Sequence, residues 1–288
     1  MKFQEIDPRI TDTNLSDEEA REWNAIYASY RAKSVLTARV VGVDSIGLKN
    51  VSLPITGKSA INCLVLLDYR VKILIPETEV WYNENTSRPE HVLKSMIGST
   101  LDYVIMSIDR ENNVCLASRR MASAIRRKAF ARSMQPDSKV TVQIMAVGRG
   151  HLLASCGGYD FTLSQRDLSY GMIPDLRARF HPGETYSAIL KNHNVEKDTL
   201  TVSVKEAEPH PFIGAQDRHP IGSRRASTIT GKYKGGVFCE LEKDLVCLCL
   251  YSPYNTDEDF KIGDQVIIVI TKYNNERKQV YGKILSKW

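Results

Sequence analysis

Three short phrases in this 288-residue chain repeat one another. They are "DRENNVCLAS" (109–118), "NVEKDTLTVS" (194–203) and "NNERKQVYGK" (274–283). Each opens on Asp or Asn, has Glu third, continues through charged or polar residues and ends in a strand-like run. A glycine stands eleven residues ahead of each start: Gly98, Gly183 and Gly263. Between glycine and phrase lie "STLDYVIMSI", "ETYSAILKNH" and "DQVIIVITKY", which begin with β-branched and aromatic residues after a turn and so predict strands. Each copy therefore reads glycine turn, strand, polar hairpin, strand.

A further strand opens each copy: "SVLTARVVGV" (34–43), "KVTVQIMAVG" (139–148) and "ASTITGKY" (226–233). The spacing from opening strand to glycine differs between copies while the ends keep their register. Small barrels with variable loops behave this way. A period of roughly 80 residues is too long for a solenoid repeat and suits autonomous domains. The third copy also shows a middle pair, "GGVFCELE" and "DLVCLCLY". Five strands per copy can close into a barrel, which removes the exposed edges of short β domains.

These copies resemble the RNA-binding domain of bacterial ribosomal protein S-one, an OB-fold barrel, as found in tandem in bacterial and phage-encoded relatives. "GGVFCELE" is similar to that family's glycine-aromatic-valine-acidic strand. "VKILIPETEVWY" (71–82) resembles its third strand, and "GSTLDYVIMSIDRENNVCLASRR" (98–120) its closing hairpin. The likeness covers roughly residues 34–288. The expected fold is mainly β: three tandem five-stranded OB-fold barrels with an N-terminal helix and a basic connecting helix. The expected divisions are an arm and helix at 1–33, barrel one at 34–120, a connector helix at 121–138, barrel two at 139–208, an extended loop linker at 209–225 and barrel three at 226–288.

"SDEE" (16–19) is a capping box, and Ala20, Trp23, Tyr27 and Tyr30 follow at helical spacing, a stripe for docking on barrel one. "RMASAIRRKAFARSM" (120–134) also reads as a helix. Met121, Ile125 and Ala129 form one stripe, and Arg119, Arg120, Arg126 and Arg127 fall opposite, as a cationic face. The net charge of +5 is concentrated here: residues 119–139 carry seven basic side chains against Asp137 alone. Such a local field attracts polyanions.

Nothing points to catalysis. The six histidines are dispersed, and no phosphate loop or nucleophile elbow occurs. Cys239, Cys247 and Cys249 lack the nearby fourth ligand that a structural zinc site needs, so no metal and no cofactor are expected. Scattered cysteines and the absence of an apolar leader or spanning run predict a cytoplasmic protein with no membrane partner.

Single-stranded RNA binding needs exposed rings for bases and cations for phosphates. In "GVFCELE", Val237, Cys239 and Leu241 alternate with Phe238, which then points outward. Lys232, Tyr233 and Lys234 in the preceding turn are further contacts. The resemblance adds Arg119, Lys205 and Lys283, at the ends of the closing hairpins, as cationic partners. It also exposes departures. Gly235 replaces an aromatic. Leu152 stands near the expected Phe of barrel two, with Tyr159 and Phe161 on the next strand. Pro76 replaces a histidine in barrel one, leaving Tyr69, Arg70 and Lys72. Two destinations remain: a non-enzymatic protein that tracks single-stranded RNA in translation or RNA metabolism, or a protein-docking factor acting on the ribosome or RNA polymerase with residual RNA affinity.

Overall fold

The computed structural model describes residues 16–47, 60–68, 70–83, 88–194, 199–251 and 256–287. Barrel one follows α1 (Asp17–Ala32) and comprises β1 (Leu36–Gly47), β2 (Ala60–Asp68), β3 (Val71–Pro76), β4 (Thr100–Asp109) and β5 (Val114–Ser118), with α2 (Glu90–Ser95) before β4. The strands close in the order β1-β2-β3-β5-β4. After α3 (Arg119–Ser133), the second set is β6 (Lys139–Val147), β7 (His151–Cys156), β8 (Tyr159–Ser164), β9 (Thr185–Asn194) and β10 (Thr199–Ser203), with α4 (Gln165–Leu168) behind β8. After α5 (Ala215–Arg218), barrel three is β11 (Arg224–Tyr233), β12 (Gly236–Glu242), β13 (Leu245–Leu250), β14 (Gln265–Asn274) and β15 (Gln279–Lys287). It closes as barrel one does. The middle copy differs from the expected closed barrel: it is a five-stranded sheet ordered β10-β9-β6-β7-β8. Among the described residues, the parallel pair that closes the other two, β3 with β5 and β13 with β15, has no counterpart between β8 and β10.

The repeated glycine has one physical role in all three copies. Gly98, Gly183 and Gly263 adopt φ of 94°, 94° and 96°, a region that a side chain disfavours. Each donates its N–H to an opening-strand carbonyl: Gly98 to Val40, Gly183 to Ile144 and Gly263 to Ile229, at 2.8–2.9 Å. Those three residues in turn donate to the carbonyl just after the glycine, on Ser99, Glu184 and Asp264. Immediately beyond, each opening strand bulges, at Val40/Gly42, Ile144/Ala146 and Ile229/Gly231. The hairpin phrase is explained too. Asp109 accepts from the Asn112 N–H, and Asn274 from the Arg277 N–H, so an Asp or Asn is needed first. The corresponding turn at 195–198 lies outside the described residues.

The chain forms two compact units, one of residues 1–162 with 176–201, the other of 163–175 with 202–288. In the first, α1 begins with the expected capping box, Ser16 accepting from the Glu19 N–H. Trp23 is buried on barrel one together with Ile26, which the aromatic stripe did not include. Ser29 Oγ bridges to the sheet by accepting from the Ile105 N–H and donating to the Ser34 carbonyl.

The orientation of α3 overturns the expectation. Its buried residues are Arg119, Ala122, Ser123, Arg127 and Phe130, while Ile125 is exposed. The helix presses on the turn after β7. A Cβ on Gly157 would collide with the Phe130 ring, and one on Gly158 would meet the Ser123 carbonyl at 2.5 Å. Two glycines thus admit the helix, and its arginines are drawn inward by partners distant in sequence.

The second unit corrects the linker. Residues 209–225 are not an extended loop: they contain α5, bury Ala215 in the barrel-three core and pack Phe212 against it. Arg218 fastens the segment through the Pro211 and Ile213 carbonyls and the Glu242 carboxylate. Tyr273 Oη donates to the Ala215 and His219 carbonyls.

Candidate nucleic-acid interface

Barrel three places its rings by register. Phe238 pairs with Gly231 on one side and Leu248 on the other. Leu248 pairs with Tyr281, and Tyr281 with Lys272. Directly paired residues share a face, so Phe238, Leu248, Tyr281 and Lys272 form one row across four strands. The neighbouring row, Cys239, Cys247 and Val280, is buried in the core. The row of Phe238 is therefore the outer surface, and Phe238, Leu248 and Tyr281 are all half-buried there.

Each ring rests beside a glycine. A Cβ on Gly231 would stand 3.4 Å from Phe238 Cδ2, and one on Gly235 would stand 3.1 Å from the Tyr233 ring. Gly235, the departure from the family's aromatic, is the seat of Tyr233. The Tyr233 and Phe238 rings are 5.4 Å apart and inclined by 41°. Partial burial raises the Tyr233 phenol's pKa, keeping it a neutral donor at ordinary pH. Lys234, Lys272 and Lys283 are exposed around the row, and Glu240 is the exposed acid beside it. Lys272 shares this surface although the sequence pattern does not single it out; its register with Tyr281 passes through a bulge at Ile270/Lys272. Lys232 does not join the exposed cations. Its ammonium donates to the Asp257 and Phe260 carbonyls and pairs with the Asp257 carboxylate at 3.1 Å.

The other two copies spend the equivalent positions on packing. In barrel one the row is Gly42, Val65, Leu74 and Leu116. Leu74 and Leu116 are buried in an aliphatic cluster with Ile61, Cys63 and Val114. In the second copy the residue paired with the bulge is Leu153, not Leu152, which sits one place along and is buried. Leu153, Ala146 and Met145 belong to the same buried cluster as Leu93 and Met96.

The remaining expected contacts are placed as follows. Arg119 is 3% exposed and grips Asp160, so it is not a surface cation. Arg127 is buried, donates to the Gly158 carbonyl and lies 3.6 Å and 4.2 Å from the Tyr82 and Tyr159 ring centres. Arg120 pairs with Glu79 and Arg126 with Asp102, each at 2.7 Å. The expected continuous cationic face of α3 is thus a set of tethers. Tyr159 is 4% exposed beneath Phe130 and is no stacking platform; Phe161 is half-buried. Lys205 sits 5.2 Å from the Tyr170 ring centre. Arg70 is exposed but bonded to Glu19, and Lys72 is paired with Asp44. Tyr69 lies outside the described residues.

All six cysteines are buried. Burial pushes the Cys63, Cys115 and Cys156 thiols up to about 12, and a bond to Cys249 together with burial raises Cys239 further. Such thiols are poor nucleophiles and poor metal ligands. Among the described residues no group of three His, Cys, Asp or Glu is arranged to hold a metal, and no helix is long and apolar enough to cross a membrane.

Comparison with known proteins returns no matching family model. The chain is 20% identical to small ribosomal subunit protein bS1 of Pseudomonas aeruginosa over 96% of its own length and 48% of that protein. It is 21% identical to the Neisseria meningitidis bS1 over 67% of its length and 36% of that protein. A 4-hydroxy-3-methylbut-2-enyl diphosphate reductase of Clostridium tetani matches at 20% over 63% of the chain and 30% of the enzyme. The chain spans about half the length, or less, of these curated relatives. Among solved structures, a Streptococcus pneumoniae multidomain protein with nucleic acid binding domains covers 88% of the chain and is itself covered over 73%, at 9% identity and a TM-score of 0.22. Three copies of one bulged, glycine-locked five-stranded unit thus accompany a similarity to bacterial ribosomal protein bS1 that, for the Pseudomonas aeruginosa protein, runs along nearly the whole chain.

Proposed function

We propose that the chain is a non-enzymatic protein of bacterial translation or RNA metabolism that binds single-stranded RNA on the outer face of barrel three. The observation that carries this is the row of Phe238, Leu248 and Tyr281, with Tyr233 inclined to Phe238 and Lys234, Lys272 and Lys283 around it. A half-exposed ring on a sheet takes a splayed base on its face, and stacking of this kind is worth about 1–3 kcal/mol per base. Flexible lysines beside it neutralise phosphates without fixing sequence. The relatives' names place them in the small ribosomal subunit, which favours the ribosome over RNA polymerase as the larger partner.

The test is a titration of fluorescent single-stranded RNA across a salt series. Binding that weakens steeply with salt supports a phosphate-lined face. Absence of binding at low salt rejects it. The docking alternative draws on exposed Leu250 and Leu285, which extend the same surface with apolar area. Capture of ribosomes from a bacterial lysate that survives RNase treatment would favour that alternative; capture abolished by RNase supports RNA binding.

A further inference from the structure

The segment Leu163–Asp175 groups with barrel three, although sequence reading gave it to the copy before. It is pinned to the turn between β12 and β13. Ser169 Oγ donates to Asp244 Oδ1 at 2.6 Å. Gly171 lies so close that a Cβ there would stand 3.1 Å from Asp244 Cα, and its carbonyl accepts from Gln165 Nε2 at 2.9 Å. The next residue, Met172, is thereby delivered to the ring surface. A methyl on Gly231 would stand 3.4 Å from Phe238 Cδ2 and 3.6 Å from Met172 Sδ. The thioether and the ring both lie within van der Waals reach of the space over one glycine. Yet Met172 remains 59% exposed, an unusual state for so apolar a side chain held by so fixed a strap.

We propose that Met172 is a wall of the nucleobase site: a base laid on Phe238 packs one edge or face against the Met172 thioether. This rests on the reading of barrel three's outer face as the RNA site. The chemistry suits it. An unbranched, polarizable side chain adapts to different bases and makes favourable contacts with aromatic systems. The strap supplies what a bare barrel lacks, a second apolar surface beside the ring. It selects a base already free of its partner strand, since a paired base cannot enter between ring and thioether.

The experiment titrates the full-length protein with fluorescein-labelled oligouridylate and oligoadenylate of about twelve nucleotides, comparing wild type with Met172→Ala, Met172→Leu, Asp244→Ala and Phe238→Ala. Met172→Ala is expected to weaken RNA binding about three- to tenfold with an unchanged salt slope, and Met172→Leu to recover most of the loss. Asp244→Ala, which frees the strap, is expected to copy Met172→Ala. Melting of the Met172 variants, mostly exposed, is expected to match wild type. If Phe238→Ala weakens binding and Met172→Ala does not, the wall is overturned while the site stands. If Met172→Ala tightens binding, the side chain competes with the base, and the proposal is again overturned. If Phe238→Ala leaves binding unchanged, the face is not the site and the wall falls with it.

Discussion

Arg119 grips Asp160 with both terminal guanidinium nitrogens, at 2.6 and 2.7 Å, and the two side chains are only 4% and 9% exposed. The same guanidinium donates to the Val80 carbonyl at 2.9 Å. A residue whose sequence context says phosphate contact is a clasp holding the start of α3 to β8 and to barrel one. Removing one partner of such a pair leaves a buried charge without compensation, at about 3–5 kcal/mol. Arg119→Met is therefore expected to lower the urea midpoint markedly while leaving RNA affinity of the folded protein unchanged. Arg119→Met with Asp160→Leu removes both charges and is expected to lose less than either single variant. Arg126→Gln, at a half-exposed pair with Asp102, is expected to cost no more than about 1 kcal/mol. A large loss of RNA affinity in folded Arg119→Met would return that residue to the binding surface.

The repeated glycines allow a graded prediction. Gly183 and Gly263 share the same left-handed conformation, so alanine at either is strained by about 1–3 kcal/mol. Their surroundings differ. A Cβ on Gly263 meets nothing within 4 Å, whereas one on Gly183 would be 2.5 Å from the Gly98 carbonyl. Gly183→Ala is expected to destabilise the protein by clearly more than Gly263→Ala, as measured by chemical denaturation. Equal losses would show that backbone strain alone sets the requirement.

What could be read from sequence follows from where each determinant lies. The glycine, the Asp or Asn at each hairpin and the alternation around Phe238 act over a few residues, so the pattern carries them. The face of α3 does not, because it is decided by Asp160, Glu79 and Asp102, each contributed by a strand or turn far along the chain. The stripe of Met121, Ile125 and Ala129 is too small to outweigh those tethers together with Phe130. Leu153 rather than Leu152 holds the position of Phe238 because the bulge at Ile144/Ala146 shifts the register by one, which exchanges the two faces. Met172 carries no such local signal: its strap has no periodicity, and its place depends on Ser169 and Gly171 meeting Asp244, far along the chain.

The lysines near Tyr233 separate by what they already hold. Lys232 makes two carbonyl contacts and an ion pair, while Lys234 and Lys283 are exposed. Lys234→Gln with Lys283→Gln is expected to flatten the salt dependence of RNA binding by up to ~0.7 per lost phosphate contact, with melting unchanged. Lys232→Gln is expected to do the reverse, lowering the melting temperature and sparing the slope. A slope change in Lys232→Gln of the same size would show that RNA displaces its internal contacts.

Phe238 allows stacking to be told from folding. Its ring is half-buried on Gly231, beside Tyr233, and outside the core formed by Val237 and Cys239. Phe238→Ala is expected to cost about 1–3 kcal/mol of RNA affinity with the salt slope nearly unchanged, because a base contact and no phosphate contact is lost. Its folding cost is expected to fall below the ~3–5 kcal/mol of a core phenylalanine. Phe238→Tyr keeps the ring and is expected to retain affinity, and Tyr233→Ala to lose part of it. Titration and denaturation of the same preparations decide the matter. A Phe238→Ala protein that melts several kcal/mol less stably, yet binds RNA normally when folded, would reassign the ring to the core and leave the lysines as the whole of the RNA surface.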